Sequence, residues 1–490
     1  MTNRLKTPKN IDVSNWPHID FLKKVGRIAD TVSFEIYAVG GYVRDQFLEG
    51  IPKSTGRKDI DFVVVGDAVE FARTLKSRLN GRNLVVYKRF GTAMLEIEDY
   101  KLEFVTARTE SYPEDSRKPI VQKADLLSDL SRRDFTINTL ALALNSTGFG
   151  RVYDPFDGLS DIERRIIRTP LDPGVTFQDD PLRILRAVRF ATILHFTIEE
   201  RTRQAIVKMA PRLKILSWER MTDEFLKMLA ADQPSRGIRL LDELGLLEYV
   251  FPELLDLKGV EQRQGFHHKD VYLHTLKVLD NVAEKTDKIP LRFAALVHDI
   301  GKPRTKAFKE GIGWTFHGHD KVGARMMEKI ARRMRLSKEF KNYVQKLVDL
   351  HLRPIFLSTD DVTDSAIRRL IVQSEDDLDD LFILCRADIT SGNPEKVRRH
   401  LANFDYVVRR VEDVRGKDKL RAFQSPVRGD EIMQVTGLKP GPLVGKLKRA
   451  IEEAILDGII PNEHDAAREY LLKIKDLFLR QDNSLRSQKK

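Results

Sequence analysis

Cysteine is nearly absent: Cys385 is the only one in 490 residues. Disulfides within the chain are excluded, as is any zinc site built from several thiolates, and the usage suits a reducing compartment. No apolar run approaches the roughly 20 residues needed to span a bilayer. Met1 to Asn10 is polar and basic, without the apolar stretch of a secretory signal. A cytoplasmic protein with no membrane partner is expected. No internal repeat is visible either. Lys and Arg total 84 against 73 Asp and Glu, giving a formal charge of +11. That excess suits a polyanionic partner such as RNA, although a plainly soluble basic surface would also account for it. With 41% apolar residues over this length, three or four domains with buried cores are expected.

The chemistry concentrates between Ala38 and Val65. An apolar strand runs into Gly40-Gly41 and Tyr42-Val43-Arg44-Asp45, and Asp59-Ile60-Asp61 opens a second run, Phe62 to Val65. Strand periodicity puts Asp59 and Asp61 on one face and Ile60 and Phe62 on the other. Two carboxylates side by side repel, and a hard divalent cation such as Mg²⁺ is the usual remedy. Paired glycines let backbone N–H groups approach phosphate, and Arg44 adds a planar cation suited to phosphate oxygens. Taken singly, Gly-Gly is a plain turn and Asp-x-Asp a common strand end. At this spacing they resemble the nucleotidyltransferase signature of the polymerase-β superfamily. Gly-Gly-Tyr-Val-Arg-Asp in particular resembles the class II tRNA nucleotidyltransferase and bacterial poly(A) polymerase family.

That resemblance implies an α+β fold: a polymerase-β-like head with a mixed sheet and helices, followed by all-α neck, HD and tail domains. Helices are expected over 19–30 and 68–79, and short strands at 84–87, 92–97 and 102–106. The family carries a third carboxylate on a neighbouring strand, and Glu103 stands in the matching context. Residues 109–125 read as a polar, proline-bearing loop expected to move. Arg132-Arg133-Asp134 and Asn138 resemble the motif that contacts triphosphate and ribose, with Thr139 where alanine is commoner. Tyr153 to Gly158 matches the family's hinge, and a basic helix is expected over 160–168. Asp179-Asp180-Pro181-Leu182-Arg183, followed by Arg186, can be read as an ordinary helix start, with Asp180 as cap and Pro181 in the first turn. The resemblance instead implies that Asp180 and Arg183 hydrogen-bond the Watson–Crick edge of the incoming base. The family usually has Glu where this chain has Asp179. Trp218-Glu219-Arg220 then opens the closing helices of a core covering roughly residues 35–255.

A second chemistry begins near Phe266. His274, then His298-Asp299 after an apolar helix, and Asp388 downstream provide imidazoles and carboxylates but no thiolate. Such ligands suit Ni²⁺, Mn²⁺, Fe or Mg²⁺. His317, His319 and His351 offer a second set, and Lys302 is placed for phosphate. Across about residues 260–395 the pattern resembles the HD phosphohydrolase superfamily. Beyond His400 the chain is charged and helical, and Lys446, Lys448 and Arg449 suit an RNA backbone. Residues 480–490 read as disordered.

The expected division is a head over 1–155, a neck over 156–255, an HD domain over 256–395 and a tail over 396–490. The implied function is template-independent addition of C and A to tRNA 3′ ends from CTP and ATP. Two Mg²⁺ ions on Asp59, Asp61 and Glu103 would serve the phosphoryl transfer and the release of pyrophosphate. Gly40, Gly41 and Arg44 would help position the triphosphate. A poly(A) polymerase or an enzyme adding only A or only CC shares every motif. Alternatives of another class are an HD metal phosphohydrolase with an RNA-binding head, and a non-catalytic RNA-binding protein.

Overall fold

β-Branched and aromatic residues at period two build the sheet that carries the first chemistry. The computed structural model describes residues 8–48, 58–111, 120–264, 267–311, 313–357, 363–390, 393–418 and 425–487. The chain divides into two units, Met1–Leu255 and Asp256–Lys490. Strands β1 (Lys9–Asn10), β2 (Glu35–Val39), β3 (Asp59–Val65), β4 (Arg82–Tyr87), β5 (Thr92–Ile97), β6 (Tyr100–Thr106), β7 (Arg108–Ser111), β8 (Ile120–Lys123), β9 (Ala141–Ala143) and β10 (Arg151–Tyr153) lie in the first unit. Eight of them form one sheet in the order β1-β10-β9-β2-β3-β6-β5-β4, with β3 and β6 its parallel pair and the other neighbours antiparallel.

The two faces of β3 have different fates. Ile60 and Phe62 are buried, Phe62 stacks on Phe104 at 4.8 Å between ring centres, and Phe71 of helix Ala68–Arg78 meets Phe104 edge-on. On the opposite face Val63 packs with Val39, Leu126 and Leu130, the last two from helix Leu126–Ser131. That packing covers the C-terminal part of the face and leaves Asp59 and Asp61 open at its other end.

Three sequence expectations need correction. Residues 109–111 and 120–123 of the polar segment 109–125 belong to the paired strands β7 and β8, in keeping with the β-branched Thr109, Ile120 and Val121 in the sequence; the stretch between them, on which the expected movement falls, lies outside the described residues. The helix after the hinge ends at Glu163, not Arg168. Arg165 takes a left-handed φ of 55°, and Ile166–Ile167 pairs as a short strand with Thr197–Ile198. At the C-terminal end, helix His464–Ser487 continues through most of the segment expected to be disordered.

The second unit is mainly helical. Helices Val271–Ala283, Ile289–Val297, His319–Arg333, Lys338–Leu350 and Leu378–Asp388 carry the metal-type residues or end beside them. Helices Gly429–Thr436, Pro442–Leu456 and His464–Ser487 close around Ile432, Leu447, Ile451 and Leu471. Among the described residues no helix is long and apolar enough to cross a membrane.

Candidate active site and candidate metal centre

Asp61 and Glu103 face each other in register on the parallel strands β3 and β6, where neighbouring backbones run about 4.8 Å apart. Enclosure within the site desolvates the Asp61 carboxyl and pushes it up although the side chain keeps solvent contact, and Asp59 adds to the rise against the opposing pull of Arg133 and Arg186. Glu103 is likewise raised by burial and by Asp61, against Arg108 and Arg133. Carboxylates held together against their own repulsion by a sheet register fit a divalent cation. Gly40 sits beside them with φ +71°, and a Cβ there would lie 3.2 Å from Asp61 Oδ2, so the chain passes where a side chain would crowd the carboxylate.

Arginines surround the acids. Arg132 donates to the buried Asp129 at 2.6 and 3.1 Å, and Arg133 donates to its other oxygen at 3.3 Å. Arg133 Nε is buried without a hydrogen-bond partner among the described residues. An unpaired buried donor on a cation fits an anion. Arg44 donates to Asn138 at 2.9 Å, Asn138 to Asp134 at 3.0 Å, and Arg186 to Asp134 at 2.5 and 2.8 Å. Glu224 extends this chain by accepting from Arg189 at 2.6 Å and lying 3.7 Å from Arg186. Arg44, Arg186 and Arg189 all place their guanidinium groups over the Phe190 ring. Arg186 and Arg189 are thus fixed by two buried acids, Arg44 by Asn138 and the part-exposed Asp45 carboxylate, and all three by one aromatic face.

Burial alone would raise the Asp134 carboxyl, but Arg186, Asn138 and Arg183 overcome it and hold the group at about 2. A folded-state value below the ordinary one of about 3.9 stabilises the fold above that pH by about 2 kcal/mol. The contribution is lost as pH falls from about 4 towards about 2. Asp134→Asn is expected to remove the stabilisation, flattening the acid-unfolding curve in that window when both proteins are titrated by circular dichroism.

These groups line a cavity of about 490 Å³ that brings together Gly40, Gly41, Arg44, Asp61, Glu103, Arg132, Arg133, Asp134, Asn138, Asp180, Arg183 and Arg186. Of the residues expected here, Asp59 alone is absent from the lining; it is exposed on the same strand face, close enough to raise Asp61. Asp180 is part cap and part cavity wall: Oδ1 accepts the Leu182 N–H at 3.2 Å, while Oδ2 accepts from Arg220 at 2.8 Å. Arg220 and Arg108 also line the cavity, and no motif in the sequence marks either of them for it. The Asp129–Arg132–Arg133 spacing was readable as helical i, i+3 and i+4 pairs. Nothing in the sequence signals that Arg220 returns to Asp180 from 40 residues away.

In the second unit, His274 Nε2 lies 2.8 Å from Asp388 Oδ1, and His298 Nε2 lies 3.5 Å from the same oxygen. Asp299 stands between two sets. Its Oδ2 is 3.6 Å from His274, 3.2 Å from His298 and 2.6 Å from Lys302 Nζ. Its Oδ1 is 3.3 Å from His319 and 3.9 Å from His351. His274, His298 and Asp388 form one ligand-like cluster, and Asp299, His319 and His351 the other. Nδ1 of His298, His319 and His351 each faces a backbone carbonyl at 2.7–2.8 Å, and His274 Nδ1 faces the Thr390 hydroxyl at 2.9 Å. This arrangement turns the four Nε2 atoms inward. Among the described residues those of His298, His319 and His351 are buried and make no well-aligned hydrogen bond, although Asp299 oxygens lie 3.2–3.9 Å away, so the residues present fit metal ions.

Burial opposes charge throughout this centre, yet Asp299 and Asp388 are held well below the usual carboxylate range, chiefly by His298, Lys302 and His274. Burial and the His298 charge push His351 down to about 4, whereas burial opposes but Asp299 and Asp388 carry His298 up to about 10, so a metal ion entering the centre would displace the His298 proton. His317 is exposed and outside both clusters, contrary to the second-set expectation, although it lines the adjoining cavity of about 630 Å³. The turn from Thr315 to helix His319–Arg333 carries it away from Asp299. Lys302 is buried against Asp299 and also borders this cavity. Cys385 donates to the His351 carbonyl and supplies no ligand. Gly301 packs directly on helix His319–Arg333: a Cβ there would lie 2.2 Å from the His319 carbonyl oxygen.

Comparison with known proteins matches three family descriptions in order: the poly A polymerase head domain over residues 36–168, the probable RNA and SrmB binding site of polymerase A over 195–257, and the HD domain over 271–393. An A-adding tRNA nucleotidyltransferase of Deinococcus radiodurans is 35% identical, with 70% of this chain and 78% of that protein aligned. A CC-adding tRNA nucleotidyltransferase of Thermus thermophilus is 31% identical over 89% of this chain and 93% of its own length. The chain belongs to the tRNA nucleotidyltransferase and poly(A) polymerase family. It is therefore a nucleotidyltransferase, of a metal-dependent type, with an HD domain attached. A multifunctional CCA protein of Methylococcus capsulatus is 35% identical over 72% of this chain and 81% of that protein. An apo structure of a CCA-adding enzyme shares the fold, with TM-score 0.59 and 22% identity over 95% of this chain and 96% of that one.

Proposed function

We propose that this nucleotidyltransferase adds C and A to the 3′ ends of tRNA from CTP and ATP. The observation that supports this reading most is one cavity holding Asp61 and Glu103, a cationic wall, and the acceptor-only Asp180 near the donor-only Arg183. Arg132 and Arg133 would hold the triphosphate, with Gly40 and Gly41 keeping that side of the cavity open. Arg44, Asp134, Asn138 and Arg186 would fix the wall through their shared network. Asp180 and Arg183 would orient the base so that its α-phosphate meets the tRNA 3′-hydroxyl in line. Mg²⁺ held by Asp59, Asp61 and Glu103 would supply charge that eases deprotonation of that hydroxyl and departure of pyrophosphate.

The same reading assigns head, neck, HD domain and tail to 1–155, 156–255, 256–395 and 396–490. Lys446, Lys448 and Arg449, exposed on helix Pro442–Leu456, would contact the tRNA backbone. In the HD domain His274, His298, Asp299, Asp388, His319 and His351 would hold ions of the Ni²⁺, Mn²⁺, Fe or Mg²⁺ type, supplying Lewis acidity for phosphoester hydrolysis. A single buried cysteine and the tRNA substrate suit the cytoplasm.

Incubating the protein with Mg²⁺, tRNA lacking its CCA end, and CTP, ATP or both tests the assignment. C addition with CTP alone and a complete CCA end with both are expected. Arrest after C marks a CC-adding enzyme; addition only to tRNA already ending in CC marks an A-adding one. Long A tracts from ATP alone mark a poly(A) polymerase. In the same assay Asp180→Ala and Arg183→Ala are expected to erode preference for CTP and ATP over UTP and GTP by at least ~10-fold, since buried polar groups discriminate by leaving wrong partners unpaired.

A further inference from the structure

The spacing of Asp180 and Arg183 on one helix face invites the view that they pair with each other, but the geometry gives each a different partner. Arg183 donates to the carbonyls of Thr176 at 3.2 Å and Arg132 at 2.7 Å. The guanidinium that meets Asp180 comes from Arg220, in the first turn of helix Trp218–Leu229. Asp180 is therefore held at both oxygens, by its own helix start at Oδ1 and by Arg220 at Oδ2. Its side chain is 24% exposed and that of Arg220 50% exposed, and both border the cavity that holds Asp61 and Glu103.

We propose that Arg220 is a positioning residue for nucleotide choice, clamping the Asp180 carboxylate so that its remaining lone pairs face the incoming base in one orientation. The inference builds on the assignment of Asp180 and Arg183 as base selectors. A carboxylate offers about four acceptor sites, and two are engaged by Leu182 and Arg220. The remaining sites can accept from an exocyclic amine. Cytosine N4 and adenine N6 provide one; uracil O4 and guanine O6 are acceptors and would face the carboxylate unpaired. Discrimination by an acceptor-only group persists only while that group is fixed in orientation. A carboxylate freed on one side can rotate or take up a bridging water, and either change admits a carbonyl-bearing base. Arg220 opposes both by supplying a charge-assisted hydrogen bond and a fixed direction.

The test is steady-state addition by the full-length protein with Mg²⁺ and tRNA lacking its 3′ end, measuring kcat/KM for CTP, ATP, UTP and GTP. Arg220→Ala, Arg220→Lys and Asp180→Ala are compared with the parent, and thermal midpoints establish that each variant is folded. Arg220→Ala is expected to lower the selectivity for CTP and ATP over UTP and GTP by at least ~10-fold, with Arg220→Lys recovering part of it because one donor and the charge remain. An equal fall in kcat/KM for all four nucleotides overturns the proposal and makes Arg220 a general phosphate or tRNA contact. Unchanged selectivity in folded Arg220→Ala and Arg220→Lys, alongside lost selectivity in Asp180→Ala, overturns the Arg220 role alone. Unchanged selectivity in Asp180→Ala as well overturns the base-selector assignment and this inference with it.

Discussion

Asp61→Ala is expected to lower nucleotide addition by roughly 10³-fold or more, an effect of the size that follows loss of a group stabilising transition-state charge. The expectation comes from register. Asp61 sits across from Glu103 on a parallel pair whose backbones are locked by the sheet; burial and Asp59 raise the Asp61 carboxyl, and burial and Asp61 raise that of Glu103. Without Asp61, Glu103 faces Arg108 and Arg133, and only Asp59, outside the cavity lining, remains to share a cation with it. Asp59→Ala is expected to act in the same direction, as it shares the strand face. Because Asp61 keeps solvent contact and packs no core, the variant is expected to fold and to bind tRNA. Single-turnover addition, with tRNA binding measured by filter retention, checks both halves. Substantial Mg²⁺-dependent addition by Asp61→Ala would remove the head assignment.

In the second unit, His298→Ala and Asp299→Ala are each expected to reduce bound transition metal by at least ~10²-fold in affinity, since loss of even supporting partners of metal ligands costs 10–100-fold. Asp299→Ala is expected to be the more severe. One of its oxygens faces His298 and the other faces His319 and His351, so the substitution strips both clusters together. Elemental analysis of the full-length protein after equilibration with Ni²⁺ or Mn²⁺ measures the loss. Hydrolysis of p-nitrophenyl phosphate and 2′,3′-cyclic nucleotides in parallel shows whether activity follows the metal. Unchanged metal content in both variants would refute the centre, and full occupancy without turnover would leave the HD domain a scaffold.

The residues that could be read from the sequence share a common property: their roles are fixed by short-range geometry. Period two put Asp59 and Asp61 on one face, and β3 shows that alternation. The order His274, His298-Asp299, Asp388 anticipated a ligand cluster because apolar helices flank each member. What the sequence concealed depends on chain returns. Arg220 reaches Asp180 across 40 residues, and Glu224 reaches Arg186 and Arg189 from the same helix. His317 was misjudged because a histidine two residues from a ligand looks equivalent in sequence, while the turn between them leaves it exposed. The Arg164–Arg168 helix failed for a local reason: a left-handed residue and two β-branched ones favour a strand.

Gly301 carries a consequence of a different order. Its α-carbon lies against the backbone that begins the His319 helix, so the gap between the two histidine sets is set by main chain touching main chain. Adjustment by side-chain rotation is therefore not available at this crossing. A single added methyl would collide with the first turn of the His319 helix, so either that helix or the His298-Asp299 segment would have to yield. A hydrogen atom at this position is what lets the two main chains meet where Asp299 and His319 come within 3.3 Å.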